Sequence, residues 1–224
     1  MSETLIFIPA RSGSKRIKNK NVRKINGKPL ICWTIKYAKK YTKKNNDIIV
    51  SSDSDYINKI SVKEKVKFFK RPKNISGDKA EVYFAVVHAL NKIKNSKKYK
   101  YIALLQVTSP IRPKNMISKG VKILKKNKNF QNLIHLEKTN YKVGSLSKKN
   151  EWEPLYGSTS RGQDINNQFR PSGCLFLYLR KDFENYKKFK KRKNYGFIQK
   201  EKIETVNIDN EEDFVKLRFL LKNR

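Results

Sequence analysis

The 224-residue chain is poor in the residues that build cross-links, metal clusters and proton relays: two cysteines, two histidines, two methionines and two tryptophans. Cys32 and Cys174 lie far apart, each within an apolar run. That leaves no disulfide framework and no metal spacing, and both read as buried thiols in a reducing compartment. His88 falls near an apolar helical stripe and His135 within a strand, so nothing suggests a histidine-based catalytic dyad. Acid is scarce as well, with 19 Asp and Glu against 53 Lys and Arg, a formal net charge of +34. No apolar run approaches the roughly 20 residues a membrane-spanning helix needs. The N-terminal run Met1–Ala10 lacks the basic start of a signal peptide. The expected protein is soluble and cytoplasmic, with no membrane partner.

What is present suits a folded domain. At roughly 100–200 residues per domain, the length implies a single domain over 1–224. Hydrophobic residues make up 38% and aromatics 11%, enough for a core, and no long segment lacks apolar residues. The positive excess is almost all lysine, 42 Lys against 11 Arg, spread along the chain at Lys36, Lys63, Lys92, Lys119, Lys148, Lys187 and Lys216. A nucleic-acid footprint clusters on one face or stripe. Dispersed lysine, with abundant Asn and Ile, reads instead as solvated faces plus compositional drift. Nucleic acid is therefore not the expected partner, although a positive site for anionic substrates fits either reading.

Strand-like runs alternate with helical stripes. Leu5–Ile8, Asp47–Val50, Val66–Phe69, Tyr101–Leu105, Asn132–Leu136, Cys174–Tyr178 and Glu204–Ile208 read as strands. Helical spacing appears at Leu30–Ala38, Tyr56–Val62, Val82–Ile93, Met116–Leu124 and Phe214–Leu221. This alternation predicts an α/β fold with a mostly parallel sheet and helices on both faces. The segment 139–170 breaks the rhythm: it is rich in Asn, Ser, Gly and Gln and is expected to be a functional loop or an arm that packs elsewhere, for example across a dimer.

The opening strand runs into Pro9-Ala10-Arg11-Ser12-Gly13-Ser14-Lys15-Arg16. Open parallel sheets bind ligands beyond the carboxyl ends of their strands. Small residues let backbone N–H groups approach phosphate oxygens, and Arg11, Lys15, Arg16 and Lys20 add charge there. Neither the Gly-x4-Gly-Lys-Ser/Thr loop nor a multi-glycine dinucleotide fingerprint is present. Chemistry alone thus supports a phosphate site, or an ordinary basic loop.

Further segments follow in order: Lys18–Val22, Asn26–Leu30, Ser51-Ser52-Asp53, Arg71-Pro72 with Gly77-Asp78, Leu104–Arg112, Gln163-Asp164-Ile165, Phe169–Gly173 and Asn207-Ile208-Asp209. Together with the opening loop they resemble, in register from about residue 4 to 220, the acylneuraminate cytidylyltransferase family. The resemblance implies a Rossmann-like fold of the nucleotide-diphospho-sugar transferase type, with 139–170 as a dimerisation and sugar-side arm. It implies transfer of CMP from CTP to the anomeric hydroxyl of an acidic 2-keto-3-deoxy sugar, with Mg²⁺, in a homodimer.

By that resemblance Ala10, Arg11, Ser12, Gly13, Ser14, Lys15, Asn21, Arg71 and Gln106 bind the nucleotide. Arg11, Lys15, Lys20 and Asp209 serve catalysis. Gln106, Gln163, Arg170 and Ser172 face the sugar, Arg170 as a bidentate partner for its carboxylate. Asp209, and less directly Asn207, would hold the metal, since Mg²⁺ takes hard oxygen ligands. Three departures stand out: Ser172 replaces an Asn, Val107 a Pro, and Asn207 the first Asp of Asp-x-Asp. Structural alternatives remain open: a strand-terminal ion pair for Arg71, and a helix N-cap for Asp209. Other functions remain open too: a Kdo-type or other sugar nucleotidyltransferase, or a basic RNA-binding or regulatory protein that has lost catalysis.

Overall fold

The computed structural model describes residues 3–13, 16–42, 47–139, 144–148, 150–154, 168–198 and 205–222. The first strand, β1 (Thr4–Pro9), is buried from Thr4 to Ile8. Its side chains alternate, so Ile6 and Ile8 enter one core and Leu5 and Phe7 the other. Continuous apolar runs of this kind suit a strand covered on both faces.

Two short strands, β2 (Lys24–Ile25) and β3 (Lys28–Pro29), form a hairpin whose two-residue turn, Asn26-Gly27, has positive φ at both positions (48° and 75°). An Asn-Gly pair is the favoured chemistry for that turn. Helix α1 (Leu30–Tyr41) follows, then β4 (Ile48–Ser52), α2 (Asp55–Lys63), β5 (Lys67–Lys70), α3 (Val82–Asn91), β6 (Tyr101–Leu104) and α4 (Met116–Lys126). Next come β7 (Asn132–Lys138), the hairpin β8 (Gly144–Leu146) and β9 (Trp152–Pro154), β10 (Phe169–Leu179), α5 (Tyr186–Lys190), β11 (Asn194–Ile198) and α6 (Glu211–Lys222).

Seven of these strands make one sheet in the order β11-β7-β10-β6-β1-β4-β5. All neighbours run parallel except β10, which is antiparallel to both β6 and β7. Helices α1, α2, α4 and α6 pack into one core cluster. Helix α3, with Phe183 and Phe189, closes the other face. Each fully buried Leu, Ile or Phe contributes roughly 1.5–3 kcal/mol, so both faces are needed to hold the sheet.

The expected α/β architecture is present, with one correction. The predicted strand at Glu204–Ile208 does not form over its described part, Thr205–Ile208. Val206 and Ile208 are buried, but the Ile208 N–H donates to the Thr108 carbonyl at 2.8 Å instead of entering a ladder. Alternating apolar residues signalled burial there, and burial alone does not make a strand.

Candidate active site

The sheet brings four parallel strand ends to one edge: β1 at Pro9, β4 at Ser52, β5 at Lys70 and β6 at Leu104. β10 reaches the same edge from the opposite direction. Phe176 pairs with Leu104, so the residues just before Phe176 extend beyond the end of β6. A cleft of about 750 Å³ opens at this edge. Arg11, Gly13, Arg16, Lys20, Asn21, Arg71, Gln106, Asn207 and Asp209 line it, over an apolar base that includes Leu104, Val82, Phe176 and Tyr178.

The loop after β1 is tied down by its own small residues. The Ala10 N–H donates to the Ser51 carbonyl at 2.9 Å, and Ala10 is 1% exposed. Ser12 donates to Asp53 twice, from its N–H at 2.8 Å and from its hydroxyl at 2.5 Å. Both residues were expected to present donors to a phosphate, and the geometry corrects this. Their donors hold the loop onto β4, leaving Gly13 and the cations facing the cleft. Burial works against the charged form of Asp53, but the two bonds from Ser12, its own backbone N–H and the nearby Arg71 charge together hold the carboxyl below its ordinary value. The Asn21 amide donates to the Arg11 carbonyl at 2.8 Å, which fixes the loop's other side.

The cations differ in how firmly they are held. Arg71 is buried, with Nε 3.2 Å from the Ser51 hydroxyl and Nη2 donating to the Ser51 carbonyl at 2.8 Å. Burial pushes its pKa down to about 10, against the attraction of Asp53. It remains cationic at neutral pH, and its side chain bonds to Ser51 rather than forming the strand-terminal ion pair that the sequence left open. Lys20 is 8% exposed and donates from Nζ to the Ile208 carbonyl at 2.7 Å. Arg11 pairs with Asp78 at 2.7 Å on the cleft wall.

Beside Lys20 stands the segment before α6. Asp209 accepts from the Asn207 amide at 2.9 Å, and lies 3.5 Å from Lys20 Nζ and 3.6 Å from an Arg16 nitrogen. The helix cap belongs to other residues. Asn210 accepts from the Asp213 N–H at 2.9 Å, and Asp213 accepts from the N–H groups of Asn210 and Asp209 at 2.9 and 2.7 Å. This reciprocal pairing is a capping box, so the Asp209 carboxylate is not used as an N-cap and faces the cleft. Asn207 turns its nitrogen to Asp209 and its oxygen toward the Ser109 hydroxyl at 3.3 Å.

The β10 side departs most from expectation. Ser172 is 1% exposed, its hydroxyl 2.6 Å from His135 Nδ1 and 3.1 Å from the Cys174 N–H. That hydroxyl turns into the interior, correcting the expected sugar contact. Burial also lowers the pKa of His135. Arg170 lies outside the cleft lining: it is exposed on β10 and donates to Glu137 on β7 at 2.7 Å. Ser14, Lys15 and Gln163 lie outside the described residues.

Two contributors fall in segments that carry the resemblance but were given no role by sequence reasoning. Gly173 has φ +74°, and a Cβ on it would lie 2.4 Å from the Ser109 hydroxyl and 2.5 Å from Gln106 Oε1. Asp78 holds Arg11. A glycine amid the strand-like run 169–179 was the available signal for the first, since it marks a bulge or a close approach. The bulge is there: between Pro171 and Phe176 the register of β10 against β7 shifts.

These features define an α/β protein with a cation-lined cleft at the carboxyl ends of its parallel strands. The cytidylyltransferase family pattern matches residues 5–224, and the chain belongs to that family. It is 27% identical over 219 residues to an N-acylneuraminate cytidylyltransferase of Escherichia coli, covering 95% of this chain and 51% of that protein. It is 29% identical over 194 residues to a pseudaminic acid cytidylyltransferase of Campylobacter jejuni, covering 81% of this chain and 82% of the relative. The chain thus spans about half the length of the N-acylneuraminate cytidylyltransferases it matches. Among solved structures, a CMP:2-keto-3-deoxy-manno-octonic acid synthetase complexed with CTP superposes with a TM-score of 0.73 at 16% identity, covering 99% of each chain, which is a likeness of fold.

Proposed function

We propose that this chain transfers CMP from CTP to the anomeric hydroxyl of an acidic 2-keto-3-deoxy sugar, a sialic acid or related nonulosonic acid. The observation that carries the reading is the cleft itself. Arg11, Lys20 and Arg71 line the cleft together with Asp209, whose carboxylate lies 3.5 Å from Lys20 Nζ, beyond the end of the strand in which the family's sequence pattern begins. Arg11 would exchange Asp78 for a phosphate oxygen, while Lys20 and Arg71 are already fixed and need little reorganisation. The anomeric oxygen attacks the α-phosphorus, the bond to the bridging oxygen breaks, and pyrophosphate leaves with that electron pair. The step needs no covalent enzyme intermediate. Gln106, on the wall between the two halves, is placed to orient the sugar against the nucleotide.

The donor set suits Mg²⁺, which takes one or two carboxylates and completes its shell with substrate phosphates. Asp209 is the carboxylate available for it, because the helix cap is made by Asn210 and Asp213. A bound Mg²⁺ would offset negative charge on the transferring phosphoryl group. Among the described residues no helix is long and apolar enough to cross a membrane. That accords with a cytoplasmic enzyme drawing on the cellular CTP pool. We place a homodimer contact on the arm at 139–170, where Phe169 is exposed at its base; light scattering of the purified chain tests this.

The deciding experiment is pyrophosphate release from CTP, UTP and dTTP against sialic, legionaminic and pseudaminic acids and Kdo. CTP-dependent release with a nonulosonic acid is the expected outcome. No release across the panel, with tight and salt-sensitive RNA binding instead, would overturn the reading in favour of a basic nucleic-acid binder.

A further inference from the structure

Arg112 lies just beyond the cleft, outside its lining, and is 7% exposed. Nε donates to the Cys174 carbonyl at 2.9 Å, Nη1 to the Thr34 hydroxyl at 3.1 Å, and Nη2 to the Gln106 carbonyl. Its guanidinium carbon stands 5.6 Å from the centre of the Tyr37 ring. These partners are carbonyls, a hydroxyl and an aromatic face. Burial accordingly lowers its pKa.

A buried cation held by neutral acceptors is costly to desolvate, and an apolar side chain of similar length would fill the space at lower cost. The property such a replacement lacks is the rigid planar fork, which reaches acceptors on separate elements in one fixed geometry. Here the elements are Gln106, two residues beyond the end of β6, the bulge of β10, and α1. The first two carry the tightest packing at the cleft. Gln106 Oε1 sits where a Cβ on Gly173 would approach to 2.5 Å. Gln106 and Cys174, the residue after Gly173, are both held by their carbonyls to the same guanidinium. A small slide of β10 against β6 would therefore displace the Gln106 amide.

We propose that Arg112 is a positioning residue for the transfer reaction, a buried clamp that sets the Gln106 amide against the β10 bulge. The kinetic part rests on the proposed CMP transfer; the clamp itself does not. It acts on the cleft through Gln106 without touching substrate. The chemistry it serves is the alignment of the sugar's attacking oxygen.

Two readouts test it. Hydrogen exchange reads the clamp without any substrate. In Arg112→Met, amides of Gln106–Ser109 and Ser172–Cys174 should lose protection together, while those of β1 and β4 keep theirs. Kinetics read its consequence: Arg112→Met should lower kcat/KM for the sugar about 10²-fold, the order expected for an ångström-scale misplacement. In a Gln106→Ala background the same change should have almost no further effect, because residues acting through one group are not additive. Arg112→Lys keeps the charge and loses the fork, and should loosen the same two segments. Thr34→Val removes one anchor, leaves the guanidinium in place, and serves if Arg112→Met does not fold. Unchanged exchange in both Arg112→Lys and Thr34→Val would overturn the clamp. Fully additive losses in the double variant would overturn its action through Gln106. Local loosening in a protein that turns over no sugar would instead reject the proposed reaction and leave the clamp standing.

Discussion

The two walls of the cleft are built on different plans. The wall formed by the ends of β1, β4 and β5 is a cage of charge: Arg71 bonded to Ser51, Ser12 bonded twice to Asp53, Arg11 paired with Asp78. The wall formed by β6, β10 and the segment before α6 is a knot of neutral contacts around a bulge, Ser109 to Ser172 and Ser172 to His135, with the Asp209 carboxylate at its edge. The first suits a ligand recognised by negative charge, because fixed donors and cations cost no reorganisation when it arrives. The second suits a ligand recognised by shape, because neutral side chains packed to contact distance fix positions rather than fields. Under the proposed function, a triphosphate and a sugar acid would divide along that line.

Changes on the second wall should reach the first only where the two meet, at Asp209. Asp209→Asn is expected to have the largest effect, lowering kcat by about 10²–10³-fold, as for loss of a preorganised charge-stabilising group. Its melting temperature should barely move, since Asn210 and Asp213 cap α6. Asp213→Ala should do the reverse, losing about 1 kcal/mol of stability with the cap while keeping most activity. Pyrophosphate release and thermal melts on the two variants check this crossing. Equal activity losses in both would merge the two roles that the geometry separates.

Next in size is Gly173→Ala. The added methyl group faces a left-handed backbone and two polar side-chain atoms at 2.4 and 2.5 Å. We expect a stability loss of about 1–3 kcal/mol from the backbone strain. Displacement of Gln106 should lower kcat/KM by about 10²-fold. CTP affinity, set by the charged wall, should change far less, and calorimetric titration of CTP into the variant measures that difference.

The charged wall has its own pH signature. The carboxyl of Asp53 is held below its ordinary value, so its stabilising contribution is complete above the unfolded-state pKa and fades as pH falls through the lower folded-state value. Ser12→Ala removes the hydroxyl bond that contributes to that depression. At neutral pH it should cost about 1–2 kcal/mol, in the range for hydrogen bonds to charged groups. The gap between variant and wild type should begin to narrow below about pH 4 and close once the pH is below the folded-state value. Denaturant melts at pH 7 and pH 3.5 read the difference. A gap that stays constant with pH would mean the Ser12 hydroxyl does not act through the Asp53 charge.

How much of this was legible in the sequence follows the same division. The cations of the charged wall sit at strand ends, in short segments whose spacing survives translation into space, and Arg11, Lys20, Arg71 and Asp209 all line the cleft. Hydrogen-bond direction was not legible. Ala10 and Ser12 look like open donors in a small-residue loop, and only the fold reveals Ser51 and Asp53 beside them. On the neutral wall the contacts join residues far apart in the chain: Ser109 with Ser172, Arg112 with Cys174. No local pattern announces such pairs. The resemblance sets Ser172 against the sugar in place of an Asn, yet its hydroxyl turns inward to His135.

Arg170 is the residue on which that comparison presses hardest, because it carries charge on the neutral side. In the structure the exposed Arg170 pairs with the half-buried Glu137, and a pair this near the surface is worth only about 0–1 kcal/mol. Exchanging Glu137 for a sugar carboxylate would therefore cost little. Arg170→Ala should leave the melting temperature nearly unchanged and raise KM for the sugar about tenfold, roughly the loss of one charge-assisted hydrogen bond. KM for CTP should stay as it is. Glu137→Gln should move the sugar KM the other way, by freeing the guanidinium. If neither variant shifts the sugar KM, Arg170 belongs to the β7–β10 pairing alone. The carboxylate must then be read from the charged wall, and the division of labour between the walls fails at the anionic end of the sugar.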